Sequence, residues 1–250
     1  MIKVCKCPYC IILKKMYNKN VHIKGEIIHR GFTLAEVLIT IGIIGVVAAM
    51  TMPSLNQKIS DQKNMSSLKK TYSVLQQATN LVIADNEGPE YWGMVDNNNE
   101  VVTQIYKYYK PHFNMMRECQ NSEGCWAYPT KYLNGSVYWS AHNASWCQFA
   151  FTLPDGVNIL MDIYPANQIQ SNFGMGNTVD YDCLVFWVDV NADKLPNQIG
   201  RDIFAFIVTH KGLQPAGLGT TGDGDWHNGG NGWMCTAKII EDGWSIQYLK

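Results

Sequence analysis

One apolar segment constrains the fold of this chain more than any other feature of its sequence. From Phe32 to Met52 the sequence FTLAEVLITIGIIGVVAAMTM has 21 residues and one charged side chain, Glu36. A helix of this length would span about 31 Å, which matches the hydrocarbon thickness of a bilayer. Because a segment that is apolar on every face seldom occurs in a soluble domain of this size, residues 32–52 are predicted to form a transmembrane helix.

The charge on the two sides of this segment predicts its orientation. Residues 1–31 carry a net charge of +6, so residues 32–250 carry −7 of the total of −1. By the positive-inside rule the basic segment stays in the cytoplasm and everything after Pro53 is exported. The near-neutral total also gives no reason to expect a nucleic-acid partner. The basic residues closest to the span are Lys14, Lys15, Lys19, Lys24 and Arg30.

The residues at the start of the apolar run resemble a processing motif. Gly31 directly precedes the run, and Glu36 follows five residues later. This sequence, Gly31-Phe32-Thr33-Leu34-Ala35-Glu36, resembles the motif of type IV prepilins and type II secretion pseudopilins. The resemblance implies that a prepilin peptidase cuts between Gly31 and Phe32 and methylates the new amino terminus of Phe32. It also implies that Glu36 guides subunit assembly and that Pro53 bends the helix.

Residues 1–31 are therefore expected to be a basic leader peptide that is removed. Met16 offers a second start, which would give a leader of more usual length and make the preceding residues an annotation artefact. Those residues include the redox-like motif Cys7-Pro8-Tyr9-Cys10, with Cys5 beside it. Because there is no room before the span for a fold that would stabilise a thiolate, chance is the preferred interpretation and redox or metal binding is the alternative.

After Pro53 the sequence becomes amphipathic and predicts that the helix continues over residues 53–86. Apolar residues recur at steps of three and four, and the pattern stops at Asp85-Asn86-Glu87-Gly88-Pro89. We therefore expect one spine helix of about 54 residues, with its first half in lipid and its second half against a head. The predicted stripe consists of Leu55, Ile59, Met65, Leu68, Tyr72, Leu75 and Val82.

Residues 87–250 are predicted to form a single β-rich head, so that the fold class is α+β, with a long N-terminal membrane-spanning helix on an antiparallel sheet, as in type IV pilins. Short apolar runs alternate with Gly, Asn, Asp and Pro clusters, and Pro154-Asp155-Gly156 is a hairpin-turn sequence. Residues 214–232 are glycine-rich and are expected to form a long exposed loop. The predicted strands are 137–139, 147–151, 158–163, 184–189, 204–208 and, last, 244–248.

Five cysteines follow the span, and an oxidising compartment favours disulfides among them. Cys119 and Cys125 are close in sequence, so a small disulfide-closed loop is predicted there. The odd number leaves one thiol over, and the pairing of Cys147, Cys183 and Cys235 stays open.

One segment of the head has the spacing of a partial calcium loop. Asp189, Asn191 and Asp193 place oxygen ligands at alternate positions, as the first half of an EF-hand loop does. The match is incomplete, because Lys194 occupies the position of the usual glycine and Gly200 that of the usual glutamate, although Asp202 could substitute. The alternative is an Asx-rich turn between two strands. Pseudopilins are also known for a calcium loop in the head, although these residues do not align with it.

Enzyme signatures are absent from the sequence. It contains no Gly-x-Ser-x-Gly, no His-Glu-x-x-His and no phosphate-binding glycine loop. His112, His142 and His210 are scattered, and Asp223, Asp225 and His227 are better explained as a solvated turn than as a metal site. The many Trp and Tyr residues fit either a packed core or a glycan-stacking surface.

The sequence and the resemblance together predict a non-enzymatic structural subunit of a type IV pilus or a type II secretion pseudopilus. Its expected partners are the prepilin peptidase, other pilin or pseudopilin subunits and the inner membrane. No cofactor is required, and calcium is the one ion that the sequence suggests. The alternative is an exported, membrane-anchored binding or adhesin-like module that does not polymerise.

Overall fold

The computed structural model describes residues 32–96, 98–120, 124–126, 128–139, 149–192, 194–219 and 230–246. Gly31, the leader with its cysteines, Cys147, Asp193 and the segment 220–229 lie outside these ranges. The chain divides into two compact units, Met1–Met52 and Pro53–Lys250.

Helix α1 spans Leu34–Asn86 and runs through Pro53 without interruption. In the described part of the chain it is the one helix long and apolar enough to cross a membrane. Almost every side chain from Leu34 to Met52 is exposed. The helix ends where the sequence predicts, one residue before Glu87, which has a positive φ of 63°.

The predicted stripe along the second half of α1 is buried only in part. The buried residues of the helix begin at Asn64 and continue through Leu68 and Leu75 to Val82. Leu55 and Ile59, which the sequence places in the same stripe, are more than half exposed. The stripe therefore extends beyond the part of the helix that the head covers.

Strands form the centre of the head. Their bounds are β1 Arg117–Gln120, β2 Thr130–Lys131, β3 Val137–Trp139, β4 Phe149–Thr152, β5 Asn158–Tyr164, β6 Cys183–Asp189, β7 Ile203–Thr209 and β8 Gly212–Pro215. Six of these strands form an antiparallel sheet with the order β1-β4-β5-β6-β7-β8, and this confirms the α+β class. A turn at Gly156, whose φ is +86°, joins β4 to β5 as predicted. The remaining two strands, β2 and β3, pair with each other.

Both faces of this sheet are buried from β4 to β7, and successive residues of each strand alternate between them. One face packs against α1 and α2, which spans Asn99–Tyr109. Tyr72 of α1 stacks on Phe206 of β7 with ring centroids 5.3 Å apart. The opposite face packs against the disulfide loop, the short helix α3 at Ala166–Ser171 and a group of aromatic residues. The sheet is therefore the middle layer of the head.

The prediction of a last strand at 244–248 is wrong for its described residues. Helix α4 spans Cys235–Glu241, and Trp244 follows it outside any strand. The Trp244 N–H donates to the Ile239 carbonyl and caps the helix, at 2.7 Å. The backbone of Trp244 is therefore used to end a helix rather than to extend a sheet.

The predicted loop at 214–232 is also partly wrong. Gln214 and Pro215 belong to β8, and Ala216 is fully buried. Sequence reasoning also missed α2, although Asn98 is a recognisable N-cap whose side chain accepts from the N–H groups of Glu100 and Val101.

Candidate functional site

The start of α1 carries a reciprocal hydrogen-bonded cap made by Thr33 and Glu36. The Glu36 Oε2 atom accepts from the Thr33 backbone N–H at 2.9 Å and from its hydroxyl at 3.0 Å. In return, the Glu36 N–H donates to Thr33 Oγ1 at 3.2 Å. This is the capping box of a Thr-x-x-Glu sequence, with Thr33 as N-cap. The spacing is visible in the sequence, although Thr33 is not among the site residues predicted from it.

Two features of its surroundings favour a charged carboxylate at Glu36. Its carboxylate lies in the first turn of α1, where the helix dipole favours negative charge. It is also exposed, as is Phe32, which is 88 % accessible to solvent. A cut before Phe32 would create a positive amine four residues from this carboxylate, and both groups are accessible to a neighbouring molecule.

The structure joins Cys119 and Cys125 in the predicted disulfide. The loop it closes is held further by Arg117, whose guanidinium donates to the Gly124 carbonyl at 2.6 Å. Cys183 and Cys235 are buried as thiols. Burial raises the pKa of the Cys183 thiol to about 12, so that it stays protonated at neutral pH.

The described residues of the segment 189–202, all but Asp193, end β6 and lead into β7. Asp202 is fully buried, and its carboxylate accepts from the backbone N–H of Asn197 at 3.0 Å and from the Asn191 amide at 3.1 Å. Burial raises the pKa of Asp202, while these donors act in the opposite direction. Asp189 is fully buried and accepts from the Asn191 N–H at 3.2 Å.

The oxygen atoms of this loop meet only some of the requirements of a cation site. Asn191 Oδ1 is buried and has no hydrogen-bond partner in the described ranges. No group of three His, Cys, Asp or Glu side chains that could hold a metal occurs among the described residues, which leave out Asp193. The calcium ion therefore stays a prediction.

Comparison with known families identifies the N-terminal segment. The profile described as the prokaryotic N-terminal methylation motif matches residues 28–52. No curated protein and no solved structure matches the chain significantly. The matched segment contains Gly31, Phe32 and Glu36, and the α+β architecture that follows it is pilin-like. The chain thus carries the N-terminal signature of the type IV pilins and pseudopilins.

Proposed function

We propose that this protein is a structural subunit of a type IV pilus or a type II secretion pseudopilus. The observation that carries the proposal is the 53-residue helix α1, which begins within the methylation motif. Its first half exposes apolar side chains on all sides, and its second half contributes to the core of the head. A helix of this kind can serve first as a membrane anchor and then as the packing element of a filament.

The proposed location follows from the charge distribution. The basic residues before Phe32 keep the amino terminus in the cytoplasm, and the head is exported from the inner membrane. The disulfide between Cys119 and Cys125 supports an oxidising compartment for the head. The partners are a prepilin peptidase and further pilin or pseudopilin subunits.

The experiment that tests this proposal is intact mass measurement and amino-terminal sequencing of the protein from its native membrane. We expect a chain that begins at Phe32 and is heavier by one methylene group. A Gly31→Val variant, which changes only the residue before the cut, is expected to stay unprocessed. A wild-type protein that retains Met1 or Met16 would contradict the proposal.

An anchored binding module that does not polymerise is the second candidate function. The observation in its favour is the capping box, because capping α1 accounts for Glu36 without any neighbouring subunit. Recovery of the wild type in filaments, with the Glu36 variants nearly absent from them, distinguishes the subunit from a module that does not polymerise.

We also propose a calcium ion in the 189–202 loop, held by Asp189, Asn191 and Asp193. The support is the buried Asn191 Oδ1 without a partner in the described ranges, beside the buried Asp189. The ion would tie β6 to the loop that leads to β7.

A further inference from the structure

The head contains a cavity of about 400 Å³ on the sheet face opposite α1. Strand β5 contributes Leu160, Asp162 and Tyr164 to its wall, because residues at steps of two point to the same face. Ile159, Met161 and Ile163 point to the helix-covered face instead. The size lies within the range of roughly 300–1,000 Å³ that is usual for small-molecule sites.

Aromatic rings form a large part of this wall. The Trp187 and Trp233 rings are 5.5 Å apart and nearly perpendicular, at 85°. Tyr138 meets Trp233 edge to face at 5.6 Å and lies 5.0 Å from Tyr132. Trp187 and Trp233 are buried, whereas Tyr132, Tyr138 and Tyr164 are half-buried. The indoles therefore support the tyrosines, which present ring surface to the cavity.

Two hydrogen bonds fix the polar side of the wall. Trp187 Nε1 donates to Tyr164 Oη at 3.1 Å, and the Ile163 backbone N–H donates to the Asp162 carboxylate at 2.9 Å. The rings and the carboxylate are thus held in place before any ligand arrives. Pre-organisation of this kind reduces the entropic cost of binding.

One donor in the wall is buried and has no hydrogen-bond partner among the described residues, the indole N–H of Trp233. A buried donor left without an acceptor costs free energy, so a ligand that supplies an oxygen here would recover it. The side-chain amides of Gln168, Asn172 and Asn231 also line the cavity, and each carries both donors and acceptors.

The charge of the lining restricts the ligand further. Asp96 and Asp162 are its ionisable acids, and none of the described lining residues is Lys, Arg or His. An anionic ligand would meet these carboxylates without a compensating positive charge. An organic cation would suit the carboxylates and the rings, but its charged nitrogen has no lone pair to accept from the Trp233 N–H.

We propose that this cavity binds a neutral saccharide of one or two sugar rings. Sugar rings have apolar C–H faces that pack on Tyr132 and Tyr138, and hydroxyl groups that both donate and accept. A sugar hydroxyl oxygen would accept a hydrogen bond from the Trp233 N–H, while other sugar hydroxyl groups would donate hydrogen bonds to Asp162 and to the amide oxygens. Binding would not depend on polymerisation, so it is independent of the proposed subunit role.

The test is a titration of the detergent-solubilised full chain, followed by tryptophan fluorescence. The neutral probes are glucose, galactose, mannose, N-acetylglucosamine, maltose, lactose and chitobiose. Choline serves as the cationic probe and galacturonate as the anionic probe. We expect saturable binding of at least one neutral sugar and none of galacturonate. Saturation by choline alone, or no saturable binding by any neutral probe, would overturn the proposal.

Matched variants locate the binding site. Trp233→Phe keeps a six-membered aromatic ring but removes the pyrrole ring with its N–H, and we expect at least about tenfold weaker binding from the loss of one hydrogen bond and of this ring surface. Tyr132→Ala should weaken binding at least as much, since it removes a stacking surface. Tyr91→Ala changes an exposed tyrosine that is not part of the lining, and this variant should bind as the wild type does.

Unchanged affinity in both cavity variants would place any binding elsewhere and overturn the proposal. Circular dichroism melting of each variant establishes that the fold is retained. If Tyr132→Ala fails to fold, Trp233→Phe alone decides the outcome.

Discussion

At the scale of single residues, Glu36 combines a local and an intermolecular role. Within one chain its carboxylate caps α1 through Thr33. In a filament the same carboxylate would pair with the amine of a neighbouring Phe32. A capping box accepts glutamine as well as glutamate at this position, but only glutamate is charged. The charge and the cap can therefore be separated by substitution.

We predict that Glu36→Gln and Glu36→Ala both insert in the membrane and are both cleaved, yet are both nearly absent from filaments. Glu36→Gln keeps the cap and removes only the charge, so its failure would be a failure of ion pairing. The measurement compares the sheared filament fraction with the membrane fraction by immunoblot. Normal assembly of Glu36→Gln would show that capping is the whole role of this residue.

Asp162 links stability to pH. Burial raises its pKa well above the ordinary value, with Asp96 adding to the effect, while bonds from Ile163 N–H and Tyr164 act in the opposite direction. A carboxyl whose pKa is higher in the folded chain than in the unfolded chain binds its proton more tightly in the folded chain. Its contribution to the free energy of unfolding is therefore present at low pH. This contribution is lost as the pH rises from about 4, the pKa in the unfolded chain, through the raised pKa of the folded chain. A tenfold difference in acid dissociation constant between the folded and unfolded chain corresponds to about 1.4 kcal/mol of stability.

We predict that Asp162→Asn is more stable than the wild type at pH 7 and that its advantage shrinks towards pH 5. The amide keeps an oxygen that accepts from the Ile163 N–H but cannot ionise. The measurement is urea unfolding of both proteins over this range. Parallel stability profiles would contradict the prediction.

At the scale of elements, α1 offers a matched pair of leucines. Leu68 is fully buried against the head, whereas Leu55 is 56 % exposed. We predict that Leu68→Ala destabilises the solubilised protein by about 2–5 kcal/mol. Leu55→Ala should stay within about 0.5 kcal/mol of wild type but lower the heat resistance of filaments, where its side chain would be covered. Equal effects on the solubilised protein would contradict the assigned burial.

The sequence predicts the long elements better than the short ones. Helix α1 and the strands β5, β6 and β7 follow from periodicity and turn residues, and the disulfide follows from the proximity of Cys119 and Cys125. Helix α4 was not predicted, because its seven residues span barely two turns. The cavity could not be predicted, because Asp162, Trp187 and Trp233 meet only once the sheet has formed.

At the scale of the whole molecule, calcium is predicted to act as a ligand of the folded state. If it binds only that state, it stabilises the fold by about 2.7 kcal/mol at a hundredfold excess over the dissociation constant. We expect the solubilised protein to melt several degrees higher in millimolar calcium than in chelator. The double variant Asp189→Asn with Asp193→Asn should remove the difference. Identical melting of the wild type in both buffers would leave the loop as an Asx turn.

The alternation along β5 has a consequence for how this protein can vary. Substitutions at Asp162 or Tyr164 alter the cavity and leave the helix-packed residues Met161 and Ile163 in place. A deletion of one residue within β5 acts differently, because every later side chain of the strand would change faces. Carboxylate and phenol would then enter the helix-packed core, and isoleucine would enter the cavity. Related sequences should therefore differ within this strand by many substitutions and almost never by an insertion or a deletion.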